Sequence, residues 1–192
     1  HGGVHRRFKR GYKNVINEAL RLNAEGVNCP LAIETSGHAA LRENHFLDDG
    51  AYLVTKIIIK AAQLRREGKT LDSLIADLQE AKEEKELRFP ITAADFRPVG
   101  EKLIADLGAY AEQAGWAVAP DNREGIRISF PAGEGDGWFL LRMSVHDPIL
   151  PLNLESNVAG GVRVLAEKLL TFLQQADTDS VDYTSLREFL DA

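Results

Sequence analysis

The chain has one cysteine, Cys29, among its 192 residues. A single thiol excludes a disulfide within the chain, and this fits a reducing cytoplasm, where we expect the protein to be located. Cys29 directly precedes Pro30 at the entry to a predicted strand, so a structural role is favoured over a nucleophilic one. The sequence also lacks the run of about 18 apolar residues that a membrane span needs, and it has no visible signal peptide. It therefore predicts no membrane partner.

An excess of positive charge is absent as well. The formal net charge is −6 and the sequence pI is about 5.4. Non-specific nucleic-acid binding depends on neutralising phosphates, so this balance predicts no nucleic-acid partner. The run 5–10, which contains Lys9, is a basic exception. It favours either attraction of an anionic ligand or a solvated terminus, and the sequence leaves both open.

Polar residues between two apolar runs give the most informative segment, 142–148. It follows the run 138–141 and precedes the run 149–154, so a strand, a loop and a second strand are predicted. The loop would hold the guanidinium of Arg142, the hydroxyl of Ser144 and the imidazole of His146. Arg presents a rigid fork of donors that matches phosphate, and Ser and backbone amides complete such a cradle. A phosphate-binding loop and an ordinary hairpin with a solvated Arg are the two interpretations.

A second polar loop follows the short apolar stretch 30–33. Glu34, Ser36 and His38 stand at the end of this predicted strand, where open α/β sheets place their ligands. If the strand continued, Glu34 and Ser36 would project to the same side. A carboxylate that accepts from vicinal hydroxyls is a natural sugar site, and Gly37 permits a positive φ or the close approach of a ligand. Alternatively, Glu34 caps a helix and His38 is a packed histidine.

Together, the two loops resemble those of the α-D-phosphohexomutase superfamily, the phosphoglucomutases and phosphomannomutases. The sugar-binding loop of their third domain reads Gly-Glu-Met-Ser-Gly-His, and residues 33–38 here read Ile-Glu-Thr-Ser-Gly-His. Residues 48–50 read Asp-Asp-Gly, which resembles the segment with which a long helix begins in the family. The phosphate loop of their fourth domain reads Arg-x-Ser-(Gly/Asn)-Thr-Glu-Pro, and residues 142–148 match it at Arg, Ser and Pro. The basic segment 9–13 resembles one in the third domain that usually ends in Gly-His.

This resemblance implies a set of substrate-binding residues, which is Lys9, Glu34, Ser36, His38, Arg142, Ser144, Val145 and His146. Glu34 and Ser36 would bind sugar hydroxyls, and the phosphate loop would hold the non-reacting phosphate. Tyr12 departs from the family, which usually has His there, so a proton-handling role at that position is in doubt.

The catalytic parts of the family are not in the sequence. It contains neither the phosphoserine segment of the first domain nor the Asp-x-Asp-x-Asp loop that holds Mg²⁺ in the second. We therefore expect a C-terminal fragment of a larger enzyme that has no catalytic residue and no metal ligand of its own. The missing N-terminal domains would be its partners, and glucose 1,6-bisphosphate its activator or intermediate.

The predicted fold class is α/β. Residues 1–82 would form the C-terminal part of a layered α/β/α third domain. Residues 83–192 would form an α+β domain with an antiparallel sheet, similar to the TATA-binding-protein-like fourth domain. Helices are predicted over about 11–23, 49–68, 96–114, 160–175 and 183–190, with a further helix capped by Thr70. The run 57–59 predicts burial on more than one helix face.

The resemblance implies the positioning half of an enzyme that interconverts hexose 1-phosphates and 6-phosphates through a bisphosphate. The alternative is a non-catalytic sugar-phosphate-binding or regulatory module with the same loops. A nucleic-acid-binding function borrowed from the fourth-domain fold is opposed by the acidic balance.

Overall fold

The computed structural model describes residues 2–144 and 146–192, so Val145 lies outside the described residues. The chain divides into two compact units, His1–Gln79 and Glu80–Ala192. The sequence prediction places this division between residues 82 and 83. Each unit is described by itself below.

Two helices and a small hairpin form the first unit. Its elements in chain order are α1 (Tyr12–Ala24), β1 (Leu31–Ile33), β2 (Ala39–Leu41) and α2 (Gly50–Arg66), with short 3-10 turns at Arg42–Asn44 and Leu71–Leu74. β1 and β2 pair antiparallel, with Ile33 opposite Ala39. The predicted α1 is confirmed. A small core of Ala19, Ala32, Ala40 and Phe46 joins α1 to the hairpin.

Helix α2 begins and ends where the sequence predicts. Asp49 caps its first turn, because a side-chain oxygen accepts from the amide of Tyr52 at 3.0 Å. Gly68, at φ +71°, follows the helix end. The predicted burial of the run 57–59 is wrong, since the three isoleucines are 44%, 62% and 51% exposed. The run marks an apolar surface, but no other described residues cover it.

Two further predictions for the first unit are corrected. Thr70 makes no side-chain cap, and only the 3-10 turn Leu71–Leu74 follows it instead of a full helix. Leu71, Leu74, Ile75 and Leu78 have helical spacing but are exposed, so tertiary burial does not support the helix there. Strand β2 was not predicted, because its sequence Ala-Ala-Leu carries no β-branched signal.

The second unit is a five-stranded antiparallel sheet with three helices. Its elements are β3 (Glu83–Pro90), α3 (Phe96–Gln113), β4 (Ala117–Val118), β5 (Ile126–Phe130), β6 (Gly137–Leu141), β7 (Ile149–Ser156), α4 (Gly161–Leu173) and α5 (Thr184–Asp191). The strand order is β3-β7-β6-β5-β4. All four pairings are antiparallel, as predicted.

One face of this sheet carries the main core. Alternating residues of the strands are buried, and they pack against the apolar sides of the three helices. The largest fully buried side chains include Phe89, Phe139, Leu107 and Leu165. The mixed α/β architecture with an antiparallel sheet therefore agrees with the predicted fold class.

The charge-rich segment 80–86 is in part a strand, because β3 begins at Glu83. The carboxylate of Glu83 accepts from the amides of Gly160 at 2.6 Å and Val162 at 3.1 Å. A negative charge at the start of α4 satisfies donors that the helix itself leaves open. Within residues 2–144 and 146–192, no helix has both the length and the apolarity needed to cross a bilayer.

Candidate functional site

The loop at Glu34–His38 is the tight turn of the β1–β2 hairpin. The amide of Glu34 donates to the His38 carbonyl at 2.9 Å, and the amide of Gly37 donates to the Glu34 carbonyl at 2.9 Å. Gly37 has φ +91°, a conformation that L side chains rarely adopt. Type I turns that end in a left-handed Gly are common in three-residue hairpin loops. The sequence prediction of a positive φ at Gly37 is confirmed.

Two polar side chains of this turn contact each other. The hydroxyl of Ser36 donates to the carboxylate of Glu34. The strand ends at Ile33, so the turn brings the two together rather than the strand alternation that the sequence suggested. Ser36 is exposed and Glu34 is half-buried. A carboxylate beside a hydroxyl at an open turn can accept from one ligand hydroxyl and exchange hydrogen bonds with a second.

His38, the last residue of the turn, is held by two neighbours. Its Nδ1 lies 2.7 Å from Oδ2 of Asp48. The ring of Tyr12 stacks on it, with centroids 5.1 Å apart and planes at 26°. Asp49, the next residue, caps α2 and also accepts from Asn44, and the backbone hydrogen bond from Tyr52 is the main reason why its pKa is lowered. The two adjacent acids therefore have different partners.

The second loop joins β6 to β7, as predicted for residues 142–148. The backbone continues the pairing for a short distance, because the amide of Arg142 donates to the Pro151 carbonyl at 3.1 Å. The amide of Ser144 donates to the Ile149 carbonyl at 3.0 Å. The hydroxyl oxygen of Ser144 accepts from the amides of His146 at 3.4 Å and Asp147 at 3.2 Å. Because these contacts use lone pairs of Ser144, the hydroxyl hydrogen is left to donate to a ligand.

Close packing supports the base of this loop. Gly125 has φ +71°, and a Cβ there would lie 2.1 Å from the Leu141 carbonyl and 2.5 Å from Cα of Arg142. A side chain at position 125 would therefore displace the backbone that carries Arg142. On the other side, a Cβ on Gly100 of α3 would lie 2.0 Å from the sulfur of Met143. Two glycines thus allow the loop to approach the sheet and the helix.

Arg142 is half-buried, and its charge acts on the sheet next to the loop. The pKa of Glu86 is lowered chiefly by a hydrogen bond from Arg88, and also by one from Asn153 and by the charge of Arg142. The Nδ2 of Asn153 donates to Glu86 at 3.2 Å. The carboxylate of Glu86 is therefore close enough to interact with the charge of Arg142, the candidate phosphate-binding residue.

The remaining predicted residues are placed as follows. Lys9 is exposed in the irregular segment before α1, and His146 is exposed in the loop between β6 and β7. Val145 lies outside the described residues. The two loops belong to different units, so the structure groups Glu34, Ser36 and His38 in one loop and Arg142, Ser144 and His146 in the other. Asp48 was not predicted as a site residue, although the adjacent acids 48 and 49 drew attention to the position.

Among the residues that the structure describes, no cluster of three or more His, Cys, Asp or Glu side chains has a geometry that could hold a metal ion. A depression of about 320 Å³ in the first unit is lined by Pro30, Leu41, Arg42 and Glu43. It lies at the open end of the hairpin, and the Glu34–His38 turn is at the other end. The depression therefore does not include the Glu34–His38 turn.

Comparison with known proteins gives one family match and one similar solved structure. Residues 1–81 match the model of the family described as phosphoglucomutase/phosphomannomutase, alpha/beta/alpha domain III. These residues are therefore similar to the third domain of that family. The segment of that match contains the whole Glu34–His38 turn and the Tyr12–His38–Asp48 group.

A solved structure of a phosphoglucomutase/phosphomannomutase family protein from Burkholderia thailandensis is similar over a longer stretch. It shares 23% identity and a TM-score of 0.65, and the match covers 92% of this chain. The chain spans 34% of the length of that protein. At this identity the likeness shows the fold. No curated protein matches the chain significantly. The family similarity thus covers residues 1–81, and the longer match concerns the fold alone.

Proposed function

We propose that this chain is the substrate-positioning C-terminal part of a phosphohexomutase, which interconverts hexose 1-phosphates and 6-phosphates through a bisphosphate intermediate. The observation that carries the proposal is the third-domain match over residues 1–81, which includes a hairpin turn with Glu34 and Ser36 in contact. The full reaction belongs to a longer protein, and the role of this chain is to bind and orient the sugar phosphate.

In the proposed complex, Glu34 and Ser36 bind the hydroxyls of the sugar. The carboxylate has acceptor capacity beyond the hydrogen bond from Ser36, so it can take a hydroxyl donor from the ligand. Adjacent sugar hydroxyls have similar spacing in the two orientations that a bisphosphate intermediate must adopt. A pair of small polar groups on a rigid turn can therefore serve both orientations.

The phosphate that does not react is held by the loop 142–148. Arg142 contributes the guanidinium fork, Ser144 donates its hydroxyl hydrogen, and His146 adds a ring donor. Lys9 contributes positive charge in the first unit. Charge-assisted hydrogen bonds of this kind are the main source of affinity for a phosphate ester, whereas the sugar contacts set orientation.

Phosphoryl transfer itself is assigned to residues outside this chain. The family resemblance implies a phosphoserine and a Mg²⁺ ion whose ligands are also outside it. The acids near the candidate site are engaged otherwise, since Asp48 binds His38 and Asp49 caps α2. The described residues therefore do not fit a magnesium site, and no step of the proposal runs through one.

The test is calorimetric titration of the purified chain with glucose 1,6-bisphosphate and, separately, with glucose. Binding that requires the phosphates is expected. Arg142→Ala should weaken this binding by roughly 1.5–3 kcal/mol, the scale of hydrogen bonds to a charged group, which is about 10- to 150-fold.

Arg163→Ala is the matched control, because it removes the same charge from the same unit. Arg163 lies on α4, whose start packs against Ser156, whereas the loop joins β7 at Ile149, the opposite end of the strand. Its affinity should stay within twofold of the parent chain. An unchanged affinity in folded Arg142→Ala, or equal losses in the two variants, would contradict the phosphate-loop assignment.

A further inference from the structure

Tyr12, His38 and Asp48 form a group in which one imidazole is contacted both on a face and at an edge. Tyr12 stacks on the ring with 26° between the planes, and Asp48 lies 2.7 Å from Nδ1. Among the contacts of the described residues, Lys13 also places its Nζ 5.9 Å from the centroid of Tyr12. The side chain of His38 is 50% exposed, so these contacts act on a group that a ligand can reach.

Three separate pieces of backbone geometry bring the group together. Gly11 has φ +103°, and this turn starts α1 so that Tyr12 is its first residue. His38 closes the hairpin turn directly before β2. Asp48 is held beside β2 by an isolated antiparallel bridge with Ala40, a buried residue of the small core. Each partner is therefore fixed by structure that does not depend on the other two.

The partners decide which ring nitrogen is left for a ligand. An ionised carboxylate only accepts hydrogen bonds, so Nδ1 of His38 must carry the hydrogen that points at Asp48. Nε2 is then an acceptor in the neutral ring and a donor in the charged one. In the neutral ring it can accept from a sugar hydroxyl, beside the carboxylate of Glu34 in the same turn.

We infer that Tyr12 is a positioning residue of the sugar-binding turn. Tyr12 stacks on His38 and holds the imidazole ring in the plane where Asp48 fixes Nδ1 and Nε2 faces the ligand. This inference rests on the proposed function for the identity of the ligand, a sugar phosphate. A phenol has no cationic form, so Tyr12 cannot replace the charge of the histidine that the family resemblance places there. It does supply a flat ring, which stacks on His38.

Two measurements test this on the intact 192-residue chain. The first is a ¹⁵N spectrum of the histidine ring nitrogens without ligand, with the His38 signals assigned from a His38→Ala sample. The parent chain and Tyr12→Phe should show one tautomer with the hydrogen on Nδ1. Tyr12→Leu, which keeps an apolar side chain but loses the ring, should show a mixture, and so should Asp48→Ala.

The second measurement is a double-mutant cycle for glucose 1,6-bisphosphate binding. Tyr12→Leu should weaken binding about two- to tenfold, the range expected for one aromatic stacking pair. Tyr12→Phe, which keeps the ring, should retain most of the affinity of the parent chain. In a His38→Ala background, Tyr12→Leu should have no further effect, because its action passes through the imidazole. A merely structural role would give additive losses.

A single Nδ1 tautomer in Tyr12→Leu would overturn the inference, and so would additive losses in the cycle. If the parent chain binds no bisphosphate, the proposed function fails. The tautomer measurement still decides whether Tyr12 positions His38, because it needs no ligand. Tyr12 is 39% exposed and lies outside the buried clusters, so the Leu variant is expected to fold.

Discussion

Glu18 is the one strongly buried carboxylate among the described residues, and its loss should destabilise the first unit in a pH-dependent way. It is 7% exposed on α1. Its two oxygens accept from Nε and Nη2 of Arg21 at 2.8 and 2.9 Å, and from Nε of Arg6 at 3.1 Å. The hydrogen bond from Arg21 is the main reason why the pKa of Glu18 falls from 4.5 to about 2. We consider the substitution Glu18→Gln.

The magnitude follows from this pKa. The fall from 4.5 to about 2, at about 1.4 kcal/mol for each pH unit, sets a ceiling of roughly 3.4 kcal/mol. The side chains of Arg6 and Arg21 are 44% and 46% exposed, so water and salt screen the pairs. We therefore expect Glu18→Gln to lower the free energy of unfolding by about 1–2 kcal/mol at pH 7.

The pH dependence has a fixed sign. A carboxylate with a lowered folded-state pKa contributes its full stability above the unfolded-state pKa and loses it as pH falls through the folded value. The difference between parent and Glu18→Gln should therefore be constant above about pH 5 and shrink as the pH falls from there towards 2. The glutamine variant has no such titration at this position.

Urea unfolding can report the two units separately. Trp116 and Trp138 both lie in the second unit, so tryptophan fluorescence follows that unit alone and serves as an internal control. Far-UV circular dichroism also includes α1 of the first unit. Glu25→Gln is the matched control, because Glu25 accepts from the same Arg21 but is 56% exposed, and it should cost no more than about 0.5 kcal/mol. Equal stability of parent and Glu18→Gln at pH 7, or a gap that persists undiminished at pH 3, would refute the reasoning.

Two further substitutions test how α4 is held in the second unit. Glu83→Ala should lower the free energy of unfolding by about 1 kcal/mol, because the amides of Gly160 and Val162 lose their charged acceptor. Gly161→Ala should cost about 1–3 kcal/mol, since its Cβ would lie 1.9 Å from the hydroxyl oxygen of the buried Ser156. Tryptophan fluorescence in urea measures both.

Both predictions have controls within the same unit. Glu84→Ala removes a neighbouring exposed carboxylate and should change stability by less than about 0.5 kcal/mol. Gly108 lies inside α3, and the Cβ added by Gly108→Ala would be in ordinary contact with Ile126 at 3.4 Å. This substitution should be neutral or stabilising by up to about 1 kcal/mol. If Glu83→Ala matched Glu84→Ala, the cap would contribute nothing. If the Gly161→Ala chain were as stable as the Gly108→Ala chain, the start of α4 would be able to shift away from Ser156 at little cost in stability.

The long helices were predictable because their apolar periodicity and their end signals agree. The prediction over 96–114 corresponds to the observed Phe96–Gln113, and Gly115 at φ +71° follows its end. The strands of the second unit were predictable for a similar reason, since apolar runs alternate with glycine-rich turns. In both cases the residues that pack also carry the local signal, so the two levels support each other.

Burial was less predictable than secondary structure in the first unit. The apolar spacing of the isoleucines at 57–59 and of the leucines at 71 and 74 predicts burial, but these side chains are exposed. An apolar pattern shows which residues could be buried, and it does not show whether another surface packs against them. For the same reason, the helical spacing after Thr70 produced only a short 3-10 turn. Strand β2 forms because β1 lies beside it, and its alanines carry no signal of that pairing.

The candidate site divides in the same way. The local motifs placed Glu34 and Ser36 at the end of a strand and Arg142 at a loop between two strands, and the structure has them there. The partner of His38 could not be predicted, because Asp48 is ten residues away and reaches it only through the bridge beside Ala40. The stack of Tyr12 on His38 depends on the packing of α1 against the hairpin and is equally invisible in the sequence.

The closed turn at Glu34–His38 has a consequence for the thermodynamics of binding. Fixing the backbone of one residue costs roughly 1–2 kcal/mol in conformational entropy. Two backbone hydrogen bonds across the turn have already fixed these residues before any ligand arrives. A sugar that binds there orders little of the chain, so weak polar contacts suffice to orient it. Loosening the turn, for example at Gly37, would therefore reduce affinity through an added entropic cost even where every ligand contact was kept.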